Sequence, residues 1–291
     1  MSCNKLILGT VQFGLDYGIN NLKGKPSDDT IKRTLDLAYN NGIEYLDTAE
    51  AYGDSQERIG FYHNSSSNKF KVITKFSSSI TKLSGDIETR VLQNLKTLDV
   101  DSLYCYMFHS FNDFDLFFDK FKSNLISLKN KGILNKIGVS IYTNEELEKV
   151  LEFKEISLIQ IPFNLFDNDN LRGDVLRKAK KKGIEIHTRS VFLQGLFFKE
   201  KDNLEGNLKD FKSPLESLEK LSKENNVLIS DIALNYACKN ISIDKVLVGV
   251  DDEEQLSMNI KSINKTIDES VFNEINKIKI HRNELLNPSN W

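Results

Sequence analysis

Cysteine is scarce in this chain. Three thiols, Cys3, Cys105 and Cys238, stand far apart among 291 residues. Their odd number and wide spacing give neither a disulfide framework nor a zinc ligand set. Histidine is almost as sparse at four, and no His-x-His pair closes an apolar segment, so the ligand pattern of a metal-dependent hydrolase is missing. No apolar stretch approaches the ~20 residues a membrane helix needs, and the opening MSCNKLILGT has too short an apolar run for a secretory signal. An excess of one charge is also absent: 39 Lys and Arg against 42 Asp and Glu leave −3, with both signs interspersed. That balance gives no electrostatic footprint for nucleic acid or an anionic membrane. No Pro- or Ser-rich linker and no break in composition divides the chain. The expectation is one domain over residues 1–291 in a reducing cytoplasm.

What is present is a rhythm. Eight runs rich in Ile, Val and Leu recur: KLILGT, IEYLDT, FKVITKF, LYCYMFH, NKIGVSI, SLIQIPF, IEIHTRS and DKVLVGV. Continuous apolar runs, rather than alternating ones, suit strands covered on both faces, as parallel sheets are. Amphipathic stretches lie between them. In DDTIKRTLDLAYNNG, Ile31, Leu35 and Ala38 fall at helical spacing ahead of Gly42. DLFFDKFKSNLISLKNKG follows the same pattern and also stops at a glycine. Strand and helix alternating in this way predict a (β/α)8 barrel, with a doubly wound open sheet as the alternative. Residues 193–229 are expected to form an inserted loop plus helix after the seventh strand.

In such barrels the reactive groups sit where strands end and loops begin. Those positions hold Asp47 after strand two, Tyr52 in its loop, Lys75 ending strand three and His109 ending strand four. Taken singly, each has an ordinary explanation: a helix-capping Asp, a packed Tyr, a solvated Lys, a satisfied core His. Together they suit carbonyl reduction. Hydride arriving at a carbonyl carbon leaves an alkoxide that needs a proton. A tyrosine with a pKa near ~10 is a poor acid at neutral pH unless a nearby cation favours its phenolate. Lys75 is the expected cation, Asp47 its holder, and His109 the donor that fixes the carbonyl oxygen.

The segments LDTAEAYG, VITKF, YMFHS and IGVSIYT resemble the aldo-keto reductase superfamily over nearly the whole chain. The resemblance implies Asp47, Tyr52, Lys75 and His109 as a catalytic tetrad with Tyr52 as proton donor. It also implies a nicotinamide dinucleotide lying across the barrel mouth without a Rossmann domain, and no G-x-G-x-x-G follows a strand here. NADPH is the expected cofactor, with NADH as the other candidate. Ser140 and Gln160 match positions that hold the nicotinamide carboxamide, and Asn164 also fits the pattern. Ile141 replaces the Asn that commonly follows the matching Ser. Arg189 replaces an aromatic residue that many members stack on the nicotinamide, while Ser190 and Gly195 match. VGVDDEEQLSMN resembles the adenosine-phosphate segment, with Gly249, Gln255 and Asn259 in place. It lacks the basic residues that commonly grip a 2′-phosphate. Asp251 and Asp252 read as acids favouring the N-terminus of a helix beginning near Glu253, or as carboxylates that discourage that phosphate. The usual N-terminal hairpin is expected to be missing, because strand one begins near Lys5.

In this family the loops after strands four and seven, with the C-terminal tail, form the substrate wall. Here they offer Phe111, Phe114, Arg189, Phe192 and Trp291, and the first loop adds Gln12, Asp16 and Tyr17. Arg189 is expected to bind an anionic group of the substrate or to stack on the nicotinamide, with an ion pair to a loop acid as the plain alternative. The expected function is NAD(P)H-dependent reduction of an aldehyde or ketone, with a sugar or anionic sugar derivative as the favoured small-molecule class. A cofactor-binding regulatory or redox-sensing barrel with little turnover is the alternative. The sequence carries no signal for oligomeric state.

Overall fold

The computed structural model describes residues 3–21, 23–80 and 86–291. Each apolar run becomes a strand: β1 Leu6–Gly9, β2 Tyr45–Asp47, β3 Lys71–Phe76, β4 Leu103–Phe108, β5 Leu134–Ser140, β6 Leu158–Pro162, β7 Glu185–Arg189 and β8 Lys245–Gly249. All pair in parallel in chain order, and β8 returns to β1, setting Leu6 beside Val246 and Gly9 beside Gly249. The sheet is therefore a closed (β/α)8 barrel rather than an open doubly wound one. Closure explains the continuous apolar runs. Leu6 and Leu8 join the layer under the helices, whereas Ile7, Tyr45, Ile73, Cys105, Met107 and Leu158 fill the interior.

The helices are α1 Val11–Gly14, α2 Asp28–Asn40, α3 Ser55–Ser65, α4 Ile87–Leu98, α5 Phe111–Asn130, α6 Asn144–Val150, α7 Asp169–Lys181, α8 Lys212–Glu224, α9 Ile229–Lys239, α10 Glu253–Ser262 and α11 Glu269–Ile275. Helix α2 starts at Ser27, whose side chain accepts from the Thr30 N–H, and it buries Ile31, Leu35 and Ala38. Gly42 follows its end at φ +78°, a left-handed conformation that glycine adopts without strain. The segment after β7 runs through three 3-10 turns before α8.

Among the described residues, β1 is preceded by one 3-10 turn, Cys3–Lys5. Side chains cover the barrel floor. Tyr45 and Tyr104 meet edge to face at 4.8 Å, and the Lys71 and Lys245 ammonium groups lie 5.1 and 4.4 Å from the Tyr45 ring centre. Glu185 accepts from Tyr104 Oη at 2.7 Å and from Lys136, and lies 2.5 Å from His187 Nε2.

Candidate active site

Strand alternation aims Asp47 and Lys75 into the barrel, two residues beyond inward-facing Tyr45 and Ile73. Both are almost fully buried, at 2% and 1% exposure. Lys75 Nζ donates to Asp47 Oδ1 and, at 2.9 Å, to the Thr48 carbonyl, and it lies 3.5 Å from Tyr52 Oη. The second Asp47 oxygen accepts from Gln160 Nε2 at 2.8 Å. The rings of Tyr52 and His109 meet edge to face at 5.5 Å. The structure thus brings all four expected side chains to the C-terminal mouth, with Lys75 between Asp47 and Tyr52.

Their protonation follows from burial and neighbours. Burial works against the Lys75 ammonium, but Asp47 and Tyr52 outweigh it and raise its pKa, so the cation is held. For Tyr52, burial raises the phenol pKa, Lys75 pulls it down, the Asp47 carboxylate adds to the rise and Arg189 opposes it, and the net direction is upward. This corrects the expected depression: Lys75 acts in the anticipated sense, yet desolvation wins. The phenol keeps its proton at neutral pH, and the ammonium stands ready for the phenolate left after transfer. Burial, with Lys75 and Arg189 adding to it, pushes His109 down to about 3. Its imidazole is therefore neutral and can donate one ring N–H.

A cavity of about 610 Å³ opens above this group, within the usual range for small-molecule sites. Asp47, Tyr52 and His109 reach its wall, whereas Lys75 sits behind it. Ser140, Gln160 and Arg189 line it from β5, β6 and β7, Ser190 and Gly195 from beyond β7, Gly249 from the end of β8, and Gln255 and Asn259 from α10. Gln12, Tyr17 and Phe192 also line it. The wall suits a dinucleotide. Hydroxyl and amide groups stand at the reactive end, and a Cβ at Gly195 or Gly249 would meet Asn20 Nδ2 or Gln12 Nε2 at 2.7 Å. Gln12 Oε1 is buried without a protein partner, an acceptor open to a ligand donor.

Other expected residues lie elsewhere. Phe111 opens α5 and packs on Phe114 at 5.9 Å, with the Lys149 ammonium 5.5 Å from its ring centre, outside the cavity wall. Phe114 is 2% exposed, on the buried face of α5 with Phe118. Trp291 lies against Phe211 of the post-β7 segment. Asp16 is off the wall as well. Phe114 and Trp291 share a cause: the buried face of α5 and the post-β7 segment claimed rings that a chain-order reading assigned to the mouth. Asn164 instead fixes the backbone, accepting from the Phe166 and Asp167 N–H groups and donating to the Ser190 carbonyl.

The wall also holds Asn20, Tyr142, Gln194, Phe198 and Met258, which sequence reasoning did not assign. Tyr142 was within reach, because it lies two positions beyond Ser140 and alternation keeps it on the same side. Beyond β8, Asp252 caps α10 by accepting from the Gln255 N–H, and Asp251 exchanges hydrogen bonds with the Gln255 side chain. Two cations pair with this acidic turn from outside the segment: Lys23 with Asp252 at 2.9 Å and Arg33 with Glu253 at 2.5 Å.

A closed parallel barrel with a Lys-linked Asp and Tyr at its C-terminal mouth marks a class of barrel oxidoreductases. The profile of the Aldo/keto reductase family matches residues 5–280, and the chain belongs to that family. It is 26% identical to the aldo-keto reductase str7 of Strobilurus tenacellus over 71% of this chain, a match spanning 62% of that protein. It is 24% identical to D-arabinose 1-dehydrogenase of Saccharomyces cerevisiae over 88% of this chain and 82% of that one. An aldo-keto reductase of Bacillus halodurans, solved in its holo form, shares the fold with a TM-score of 0.78. That structure is 18% identical and covers 94% of this chain and 92% of its own.

Proposed function

We propose that this chain is an NAD(P)H-dependent reductase of a small aldehyde or ketone, with a sugar or sugar derivative as the substrate class. The observation that carries the reading is the Asp47–Lys75–Tyr52 chain beside His109 at the cavity wall. A bound reduced dinucleotide would supply the hydride. Ser140 and Gln160 would hold its carboxamide end, and Ser190, Gly195, Gly249, Gln255 and Asn259 the remainder. Gln160 already donates one N–H to Asp47, which leaves its carbonyl oxygen as the acceptor for an amide.

The chain's own groups then act in order. Neutral His109 donates to the substrate oxygen and fixes its direction. Tyr52 Oη gives its proton to the alkoxide oxygen as the new C–H bond forms, and Lys75 stabilises the phenolate that remains. Asp47 keeps Lys75 in place and charged. Gln12, Phe192 and Arg189 would face the rest of the substrate, and Arg189 would pair with an anionic substituent. The relative D-arabinose 1-dehydrogenase bears a sugar-acting name, which supports the carbohydrate reading. No helix among the described residues is long and apolar enough to cross a membrane, and a cytoplasmic enzyme is the proposal.

A Tyr52→Phe variant tests this reading. Carbonyl reduction should fall by about three orders of magnitude or more while dinucleotide affinity stays within a few-fold, since the phenol acts in the transition state. A variant keeping over about a tenth of wild-type kcat would sink the assignment. Failure of the wild type to turn over any of a broad carbonyl panel, despite binding the dinucleotide, would favour a redox-sensing barrel.

A further inference from the structure

Glu50 lies two residues before Tyr52, in the turn between β2 and α3, and its side chain is fully buried. Its carboxylate accepts five hydrogen bonds. Arg90 donates from Nε at 2.9 Å and Nη2 at 2.5 Å, Asn94 Nδ2 and Tyr106 Oη each at 2.7 Å, and the Ser77 backbone N–H at 3.4 Å. Arg90 in turn donates to the Ser77 carbonyl at 2.6 Å and lies 4.5 Å from the Phe76 ring centre. Ser77 is two residues past Lys75, and the Glu50 N–H donates to the Lys75 carbonyl at 3.2 Å. One ion pair therefore grips both the turn that carries Tyr52 and the strand end that carries Lys75.

Stability alone does not account for such a device. Replacing a buried ion pair with well-packed apolar residues is often neutral or stabilising. What a carboxylate with five directed donors provides is a fixed backbone position. The opposite side of the turn is fixed too, because a Cβ on Gly14 would fall 1.8 Å from the Tyr52 carbonyl oxygen. Held from both sides, the turn sets the 3.5 Å separation of Tyr52 Oη from Lys75 Nζ.

We propose that Glu50, clamped by Arg90, is a positioning residue that holds the Tyr52 turn in register with Lys75 for proton delivery. The inference rests on the reading of Tyr52 as proton donor. If the clamp loosens, the phenol and ammonium separate and the phenolate loses its cation. Dinucleotide contacts on β5 to β8 are untouched, so kcat should fall while binding does not.

Glu50→Gln keeps the side-chain shape and removes the charge. Its kcat should fall at least about thirty-fold, with KM and dinucleotide Kd (by fluorescence titration) within about threefold. The same change in a Tyr52→Phe background should leave the residual rate unaltered, because there is no phenol left to position. Tyr106→Phe removes one donor and spares the ion pair, and should lower kcat about threefold with unchanged Kd. If Glu50→Gln does not fold, Tyr106→Phe and its combination with Tyr52→Phe decide by the same criteria. The proposal is overturned by a folded Glu50→Gln with kcat within twofold of wild type, or by an equal loss with and without the Tyr52 phenol. An active Tyr52→Phe variant would instead remove the functional reading beneath it.

Discussion

The guanidinium carbon of Arg189 lies 4.0 Å from the centre of the Tyr142 ring. One N–H reaches the Ile141 carbonyl at 3.2 Å, and among the described residues the side chain forms no ion pair. The plain expectation of a loop-acid partner is therefore not met. A cation in the cavity wall without a carboxylate has donors left for a ligand, and the planar fork matches carboxylate or phosphate.

Matched neutral and anionic carbonyl substrates should separate on this residue. Arg189→Met is expected to lower kcat/KM at least tenfold for the anionic member, as loss of a charge-assisted bond of about 1.5–3 kcal/mol requires, and to change the neutral member little. Equal losses for both, with weakened dinucleotide binding, would assign the guanidinium to the nicotinamide.

Lys75 and Asp47 should differ in severity. Lys75→Met removes the cation next to the phenol, whereas Asp47→Asn leaves the ammonium held by the Thr48 carbonyl. Steady-state kinetics should place the Lys75 loss well above the Asp47 loss. The reverse order would contradict the electrostatic chain from Asp47 through Lys75 to Tyr52.

The dinucleotide preference is expected to depend on the acidic turn after β8. Asp252 and Glu253 occupy the nearby cations Lys23 and Arg33 in ion pairs, so a 2′-phosphate would have to compete for them. NADPH is expected to bind, with NADH unusually competitive in fluorescence titrations. An NADPH preference above about a thousandfold, more than one charge-assisted bond supplies, would mean that a cation leaves its acid for the phosphate. Lys23→Gln and Arg33→Gln should then reduce it.

Acid stability should depend on the barrel floor. Burial pushes the Glu185 carboxyl up, but hydrogen bonds from His187, Lys136 and Tyr104 outweigh it and hold the pKa at about 2. A depressed carboxyl stabilises the fold above its unfolded pKa of ~4.3, and that stabilisation fades as pH falls towards the folded value. Each pKa unit of depression is worth at most about 1.4 kcal/mol, and solvent screening reduces it, so Glu185 contributes on the order of 1–2 kcal/mol near neutrality. Denaturant unfolding of wild type and Glu185→Gln should differ by that order at pH 7, and the gap should close only as pH falls through about 2. A gap that persists at low pH would place the effect in packing rather than charge.

The sequence by itself determined the elements and much of the candidate site. Period and punctuation are local properties. Unbroken Ile, Val and Leu runs specify strands covered on both faces, the 31-35-38 spacing specifies the inner face of α2, and Gly42 marks its end. The strand-end positions of Asp47, Lys75 and His109 were legible for the same reason, since alternation and strand length decide which side chains emerge at the mouth. Tertiary structure decided what depends on partners distant in sequence. It closed β8 onto β1, turned Phe114 to the buried face of α5, set Trp291 against Phe211, and left Arg189 on Tyr142. It also desolvated the half-buried Tyr52 at the cavity wall enough to outweigh Lys75, and gave Glu50 its partners on α4 and β4. Burial and hydrogen-bond geometry are sums over neighbours brought together by folding, and no local pattern carries them.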